Sequence, residues 1–555
     1  MTAPDRQRAV VPVLLVAVLL IGAAIRLPNL GGPDFDVDEI LHVYPAQRLM
    51  AGEPPLLPSG ERYDRALPFT TAIAWSGELF GGVDEWTARL PSVVFGCLAI
   101  GLVFLIGRRW YSNAAGLVAA LVTAVAPMQV AFSREARMYA LLQLLYLAIV
   151  FLLFEAFETA APGGPRGVPG RLAEWARGLQ MRPWLLLLAV PLGLLALQTH
   201  PLIAPAMAGP TAYVLCMGLV TPLMRSVPRR MAWKYGAAAA LLLAGGAVVF
   251  AFDLGGVRGQ YEMAVSYVPT WAQGDVSNWR FYAYRFAELY PVVFGTFLGS
   301  VLFALTRNWK ATLYIVACFG VPFVLHTFLF AWKSDRYLFQ VMPLMFVPFG
   351  VSVSSVVSFL YRGLVAWADT SVGLGSRPLA GMLTAAGVAF LVGASPELRE
   401  GFRLHQSDVI QYVGVRHNSW QAAMRFIGER SGPGEVIVTS RALLSGYYGA
   451  TLPQYFLNND DLELMLAQDL RREDGTLIEY TAGAPLIVDL AGLREVVAAH
   501  PAGWFVTEQN RFESTSSFPP DVVEFVRDRF LAEPVPGAAD MAVLHWSQPL
   551  AAAAQ

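Results

Sequence analysis

Charge is scarce in this chain. Of its 555 residues only 15% are charged while 55% are hydrophobic, and an ordinary soluble protein is nearer a quarter charged. That deficit, with a mean hydropathy of +0.48, excludes a disordered protein and argues against a soluble enzyme. Neither sign dominates: 40 Lys and Arg stand against 42 Asp and Glu. No basic field therefore draws nucleic acid. Cysteine is rare too. Cys97, Cys216 and Cys318 each lie in an apolar run, share no metal-type spacing and read as buried thiols. No internal repeat is present, and the only low-complexity tract is a short Ala run near the C-terminus.

What the chain has in quantity is long apolar runs, and a bilayer span takes roughly 20 such residues. Runs at about 9–25, 91–107, 113–131, 138–157, 184–199, 202–222, 236–254, 290–305, 311–331, 338–360 and 378–394 predict about eleven transmembrane helices. The first follows Arg6 and Arg8. It reads as an uncleaved span, because no small-x-small cleavage site follows and many spans come after it. Basic residues mark alternate loops: Arg108 and Arg109; Arg166, Arg171, Arg177 and Arg182; Arg225, Arg229, Arg230 and Lys234; Arg307 and Lys310; Arg362 and Arg377. The positive-inside rule puts these loops and the N-terminus in the cytoplasm, and an odd number of spans puts the C-terminus outside.

Two outward loops are long. The first covers about 27–90. The second, about 255–289, carries Tyr261, Tyr267, Trp271, Trp279, Tyr282 and Tyr284, which read as membrane-interface aromatics, with a lipid or acceptor platform as the other reading. The Gly/Pro-rich segment 161–170 reads as a flexible cytoplasmic connection. After about Ser395 charge returns and apolar runs shorten. Glu435–Ser440, Pro485–Leu490, Gly503–Thr507 and Met541–Trp546 read as strands. Ser419–Arg430, Leu462–Arg471, Leu493–His500 and Asp521–Phe530 read as helices. The expected organisation is a polytopic α-helical membrane module over 1–394 and an extracytoplasmic α/β domain over 395–555.

The first outer loop opens with Asp34-Phe-Asp36-Val-Asp38-Glu39. Like charges repel, so four carboxylates in six residues need solvent, cations or a catalytic use. A solvated loop end or a casual cation site is the plainer alternative. Asp36-Val-Asp38 also has a spacing that can hold a divalent cation, Mg or Mn, through oxygen ligands. The same loop contains Asp64-Arg65. A second outward turn, Ser133-Arg134-Glu135-Ala136-Arg137-Met138-Tyr139, has two guanidinium forks suited to phosphate, unless they pair with Glu135. His200 ends the fifth span, where a lone interfacial His is more often structural. Lys333-Ser-Asp335-Arg336-Tyr337 ends the ninth, where Arg336 either holds phosphate or snorkels to the interface. A carboxylate base beside several cations at a membrane surface points to group transfer from a lipid-linked phosphate.

The order of these motifs resembles the GT-C membrane glycosyltransferases, in the branch of protein mannosyltransferases and lipid A aminoarabinose transferases. The resemblance rests on Asp38-Glu39-Ile-Leu-His42-Val-Tyr44, on Leu79-Phe-Gly…Arg89-Leu-Pro91-Ser92, on the Ser133–Tyr139 turn, and on Arg336-Tyr337-Leu338 followed by Met342-Pro343. It covers about residues 10–350. Where family members often carry Glu-Lys-Pro-Pro, this chain has Asp64-Arg65-Ala66-Leu67-Pro68, and Arg65 still supplies a cation. The resemblance implies transfer of a sugar from a polyprenyl-phosphate donor to an extracytoplasmic acceptor at the cytoplasmic membrane, with inversion. It implies Asp38 as general base and Glu39 as its backing residue. Arg65, Arg134, Arg137 and Arg336 would hold the donor phosphate, with His42, Asp64, Tyr139, His200 and Tyr337 as donor or acceptor contacts. No obligatory metal is expected, since Arg alone can neutralise a lipid monophosphate. The competing reading is a transporter or flippase of lipid-linked sugars, but the apolar runs carry almost no midspan charge.

Overall fold

The computed structural model describes residues 3–159, 178–223, 229–266, 279–331, 333–371, 395–396, 399, 417–460, 462, 465–466, 469–514 and 517–547. Contacts divide the chain into two compact units. The first comprises Met1–Pro28, Ser92–Tyr267 and Ser277–Ser407, and the second Asn29–Pro91, Val268–Val276 and Asp408–Gln555. Residues 29–91, expected within the membrane module, thus belong to the same unit as the described residues from 417 to 547.

The first unit is helical. Among the described residues of the chain six helices are long and apolar enough to cross a membrane: Glu85–Trp110, whose first turns belong to the second unit, Tyr139–Glu158, Ile203–Leu223, Trp233–Ala251, Trp309–Phe328 and Pro343–Trp367. Shorter apolar helices cover Val10–Arg26, Asn113–Val125, Pro183–Thr199 and Phe297–Arg307. Each expected run up to 360 therefore has its helix, and the expected run at 378–394 lies outside the described residues. So do Arg166, Arg171, Arg177, Arg225, Arg377, Tyr267, Trp271 and the 161–170 segment. The run at 113–131 is broken in two. Proline disfavours the helical region for the residue before it, and Ala126 (φ −61°, ψ 133°) is extended ahead of Pro127.

Small residues let these helices touch backbone to backbone. A Cβ on Gly116 would lie 2.5 Å from the Phe104 carbonyl oxygen, and one on Gly350 would lie 2.5 Å from that of Ala115. Such close approach is how apolar helices gain contact where the hydrophobic effect does not drive them together. Of the three thiols only Cys318 is buried, and Cys97 and Cys216 are partly exposed. Three basic residues of the expected cytoplasmic loops have acidic partners. Glu155 takes Arg109 at 3.2 Å and Arg182 at 3.5 Å, and Glu158 takes Lys310 at 2.8 Å.

The second unit holds a five-stranded sheet of β1 (Val436–Thr439), β2 (Tyr455–Phe456), β3 (Ala502–Glu508), β4 (Leu531–Ala532) and β5 (Met541–Ser547), in the order β2-β1-β3-β5-β4. β1 is parallel to β2 and β3, while β5 is antiparallel to β3 and β4. Val438, Phe505 and Leu544 sit in the core with Leu493, Val522 and Val526 from helices Leu490–Ala499 and Pro520–Arg529. Pro485–Leu490 is not a strand. It makes only isolated bridges, because Pro485 has no N–H to donate and Asp489 already caps the next helix through Gly492 N (2.9 Å). The expected helix Leu462–Arg471 lies partly outside the described residues, and its last residue instead pairs with Leu477. Two further helices, Val37–Met50 and Leu67–Phe80, come from the 29–91 segment and pack on each other.

Candidate active site

The expected site residues fall into two groups, one within each unit. In the second unit the acidic cluster forms the start of the Val37–Met50 helix. Asp36 is its N-cap, and its Oδ2 accepts the Asp38 N–H at 3.0 Å. Glu39 closes a capping box by accepting the Asp36 N–H at 2.9 Å. Asp38 is half-buried in the first turn of that helix.

Glu39 is fully buried and is gripped by Arg89, an equally buried side chain (0% and 1% exposed). Arg89 Nε and Nη2 donate to the two carboxylate oxygens at 2.9 and 2.8 Å. The remaining donors reach the carbonyls of Leu30 (2.9 Å), Pro33 (2.8 Å) and Asp34 (3.0 Å). All five guanidinium N–H groups are thus used. Arg89 begins the Arg89-Leu-Pro91-Ser92 stretch. Its single position in the sequence gave no sign that it closes on residues 50–59 positions earlier.

Asp34 Oδ2 accepts the Gln421 N–H at 2.7 Å, and its carbonyl accepts Nδ1 of His417 at 2.7 Å. The Phe35 N–H donates to the Tyr448 hydroxyl, which donates to Glu85 Oε1, both at 2.6 Å. Burial, reinforced by the nearby Glu85, pushes the Asp34 carboxyl up to about 6. A raised acid pKa means that the folded form holds its proton over a range where the unfolded form has lost it. Stability therefore falls as pH rises from about 4 to about 6. Asp34→Asn should flatten this slope, which melting temperatures measured across that window will show, while its side-chain oxygen keeps the Gln421 contact.

His42 is buried, with Nδ1 at 2.9 Å from Thr70 Oγ1 and edge contacts to Tyr63 (5.5 Å) and Phe69 (5.4 Å). It is packed into the unit's interior. Asp64 pairs with Arg62 at 2.8 Å on the surface, and Arg65 is exposed next to left-handed Ala66 (φ 50°).

In the first unit the Ser133–Tyr139 turn is buried throughout. Arg134 Nη1 donates to the carbonyls of Pro28 (2.9 Å), Ile25 (3.2 Å) and Arg26 (3.4 Å). It therefore satisfies the end of the first helix. Arg137 lies 5.0 Å over the Tyr139 ring and donates from Nη2 to its hydroxyl at 3.4 Å. The Tyr139 ring also meets His200, with centroids 5.7 Å apart. His200 Nδ1 accepts the Leu202 N–H at 3.1 Å, so the neutral ring carries its proton on Nε2.

Arg336 lies 5.6 Å from the Tyr337 ring centre. Burial raises the Tyr337 phenol to about 12, against the opposing pull of Arg336 and Arg137 and with Tyr139 adding to the rise. Arg137, Tyr139, His200, Arg336 and Tyr337, spread over 200 residues of sequence, thus form one cluster. Its backbone is fixed by Asp335, which takes Arg285 Nε at 3.1 Å and Nη2 at 2.6 Å, and by Tyr282, whose hydroxyl bonds both N–H and C=O of Ser334. Lys333 donates to the His326 carbonyl at 2.9 Å and to that of Phe330. Among the described residues no group of three or more His, Cys, Asp or Glu is placed to hold a metal ion.

Residues 64–244 match the family model of dolichyl-phosphate-mannose-protein mannosyltransferases. The chain has the GT-C membrane fold. ArnT from Cupriavidus metallidurans in the apo state aligns with a TM-score of 0.60 at 15% identity, covering 97% of this chain and 98% of that one. The same protein bound to undecaprenyl phosphate gives 0.56 over the same shares at 15% identity. The oligosaccharyltransferase AglB from Archaeoglobus fulgidus, in complex with an inhibitory peptide and a dolichol-phosphate, gives 0.56 at 10% identity, over 95% of this chain and 74% of that one. No curated protein matches the chain by sequence. The GT-C resemblance read from the sequence therefore holds, and with its six long apolar helices the chain is a multi-pass membrane protein. The family match includes Asp64, Arg65, the Ser133–Tyr139 turn and His200, and it begins after Asp38 and ends before Arg336.

Proposed function

We propose that this GT-C protein is a glycosyltransferase that moves a sugar from a polyprenyl-phosphate donor to an acceptor hydroxyl on the extracytoplasmic side of the cell membrane. The observation that carries the reading is the cluster of Arg137, Tyr139, His200, Arg336 and Tyr337, built from three separate stretches of chain. Two guanidiniums braced by aromatic rings suit a lipid monophosphate leaving group. The undecaprenyl phosphate bound by ArnT and the dolichol-phosphate bound by AglB support a donor of that class.

In this mechanism Asp38 takes the acceptor proton as the hydroxyl oxygen attacks the anomeric carbon. The bond from that carbon to the phosphate oxygen breaks, and the anomeric configuration inverts. Arg137 and Arg336 stabilise the charge that grows on the departing phosphate. Arg65 is a further phosphate contact from an exposed loop, whereas Arg134, occupied with three carbonyls, acts on the fold. Charge neutralisation by arginine leaves no step that requires a divalent cation.

The test uses the purified chain in detergent with radiolabelled undecaprenyl-phosphate sugars (mannose, glucose, arabinose and aminoarabinose), with and without chelator. Release or transfer of label from at least one donor, unaffected by chelator, is the expected result. Movement of intact donor across a proteoliposome with no cleavage would instead make the protein a flippase. Arg137→Ala and Arg336→Ala should each lower turnover by roughly 10²–10³-fold, the usual effect of removing one positioned donor. Full activity in both would remove the cluster from the mechanism.

A further inference from the structure

The segment Asp34–Asp36, just ahead of the Asp38 helix turn, has no regular secondary structure of its own. Something else must fix it, because the direction in which it enters the helix sets where Asp38 lies. Arg89 supplies part of that restraint from within the 29–91 stretch. The rest comes from residues some 380–410 positions later. His417 Nδ1 bonds the Asp34 carbonyl at 2.7 Å, the Gln421 N–H bonds the Asp34 carboxylate at 2.7 Å, and the Tyr448 hydroxyl bonds the Phe35 N–H at 2.6 Å. The Phe35 ring is fully buried and meets Tyr447 edge-on at 5.4 Å. Further along the Val37–Met50 helix, the Tyr44 hydroxyl donates to the Leu443 carbonyl at 3.3 Å.

We propose that His417 and Tyr448 are positioning residues for the Asp38 base, so that the C-terminal α/β region is an integral part of the catalytic apparatus. The proposal rests on the reading of Asp38 as general base. His417 is well suited to the task. Its acceptor is a carbonyl, so Nδ1 must carry a proton. Burial holds the ring neutral by lowering its basicity, with the nearby Glu39 (Oε2 at 3.7 Å) opposing that shift. The imidazole is then a fixed single donor at this face. A displacement of about 1 Å at a reacting group can lower a rate by about 10²-fold, so a restraint on the residues three and four positions before the base has leverage on turnover without touching the donor.

The experiment compares the full chain with His417→Leu, His417→Asn, Tyr448→Phe and Asp38→Asn in detergent. Turnover and KM are measured with whichever undecaprenyl-phosphate sugar the parent cleaves, and amide hydrogen exchange is followed over residues 34–42. His417→Leu should lose about tenfold or more in kcat with KM nearly unchanged, while His417→Asn, whose amide can replace the Nδ1 donor, should recover most of it. Tyr448→Phe should speed exchange at Phe35 in particular. Parent-like kcat in His417→Leu, or His417→Asn as impaired as His417→Leu, overturns the positioning role. An active Asp38→Asn variant overturns the base assignment instead, so the two failures are separable. If no sugar of the panel is cleaved, exchange decides. Faster exchange at residues 35–38 in His417→Leu but not in His417→Asn supports the restraint, and equal exchange in all variants overturns it.

Discussion

Asp38→Asn should lower turnover by about 10²–10⁴-fold, the range expected for loss of a positioned general base, and should leave undecaprenyl phosphate binding close to that of the parent. The amide has nearly the same shape as the carboxylate but cannot accept the acceptor's proton. The two capping-box bonds at the helix start come from Asp36 and Glu39 rather than from this side chain. The substitution therefore separates chemistry from folding. Its control is Asp36→Asn. Asparagine caps helices about as well as aspartate, so this variant should fold and turn over much like the parent. If Asp36→Asn abolishes turnover while Asp38→Asn preserves it, the base has been assigned to the wrong carboxylate. If both retain full turnover, the cluster is a structural helix start only.

The span pattern was legible because each apolar run is long and because proline marks the breaks. Pro127 is visible in the sequence, although the run at 113–131 reads as one helix until the extended Ala126 is seen. The strands Val436–Thr439, Ala502–Glu508 and Met541–Ser547 were equally plain as short apolar runs. Pro485–Leu490 shows the same composition without a strand, since a run of hydrophobic residues does not record which N–H groups find partners. For the site, the sequence displays which charges lie at helix ends but not which are already committed. Arg134 and Arg137 are three residues apart in one turn, yet one closes a helix end and the other lies against Tyr139. His42 stands beside the acidic pair in the sequence, which does not show that its ring packs edge-on against Tyr63 and Phe69. His417 has no local motif at all, because its partner is a backbone carbonyl 383 positions away.

Arg89→Met carries the largest expected effect on the fold of the second unit. Methionine fills much of the same volume but leaves Glu39 buried and without its guanidinium, and removing one partner of a buried ion pair typically costs about 3–5 kcal/mol. The carbonyls of Leu30, Pro33 and Asp34 lose a shared donor at the same time. Because those groups surround the start of the Val37–Met50 helix, the first consequence is local opening there. Exchange of its amides should accelerate by roughly 10²–10³-fold or more, the factor that corresponds to that energy. Turnover should fall with it, since Asp38 is carried on the same turn. The double variant Arg89→Met/Glu39→Leu tests the cause. Replacing both ions by apolar groups removes the stranded charge and often restores stability. Here restoration should be incomplete, because Glu39 also accepts the Asp36 N–H at 2.9 Å and leucine cannot. The capping box would then lose one of its two bonds, typically about 1 kcal/mol. Exchange in the double variant should accordingly lie between that of the parent and that of Arg89→Met. Parent-like exchange in Arg89→Met would mean that the 29–36 backbone holds its path without the guanidinium, and that His417, Gln421 and Tyr448 suffice to fix it.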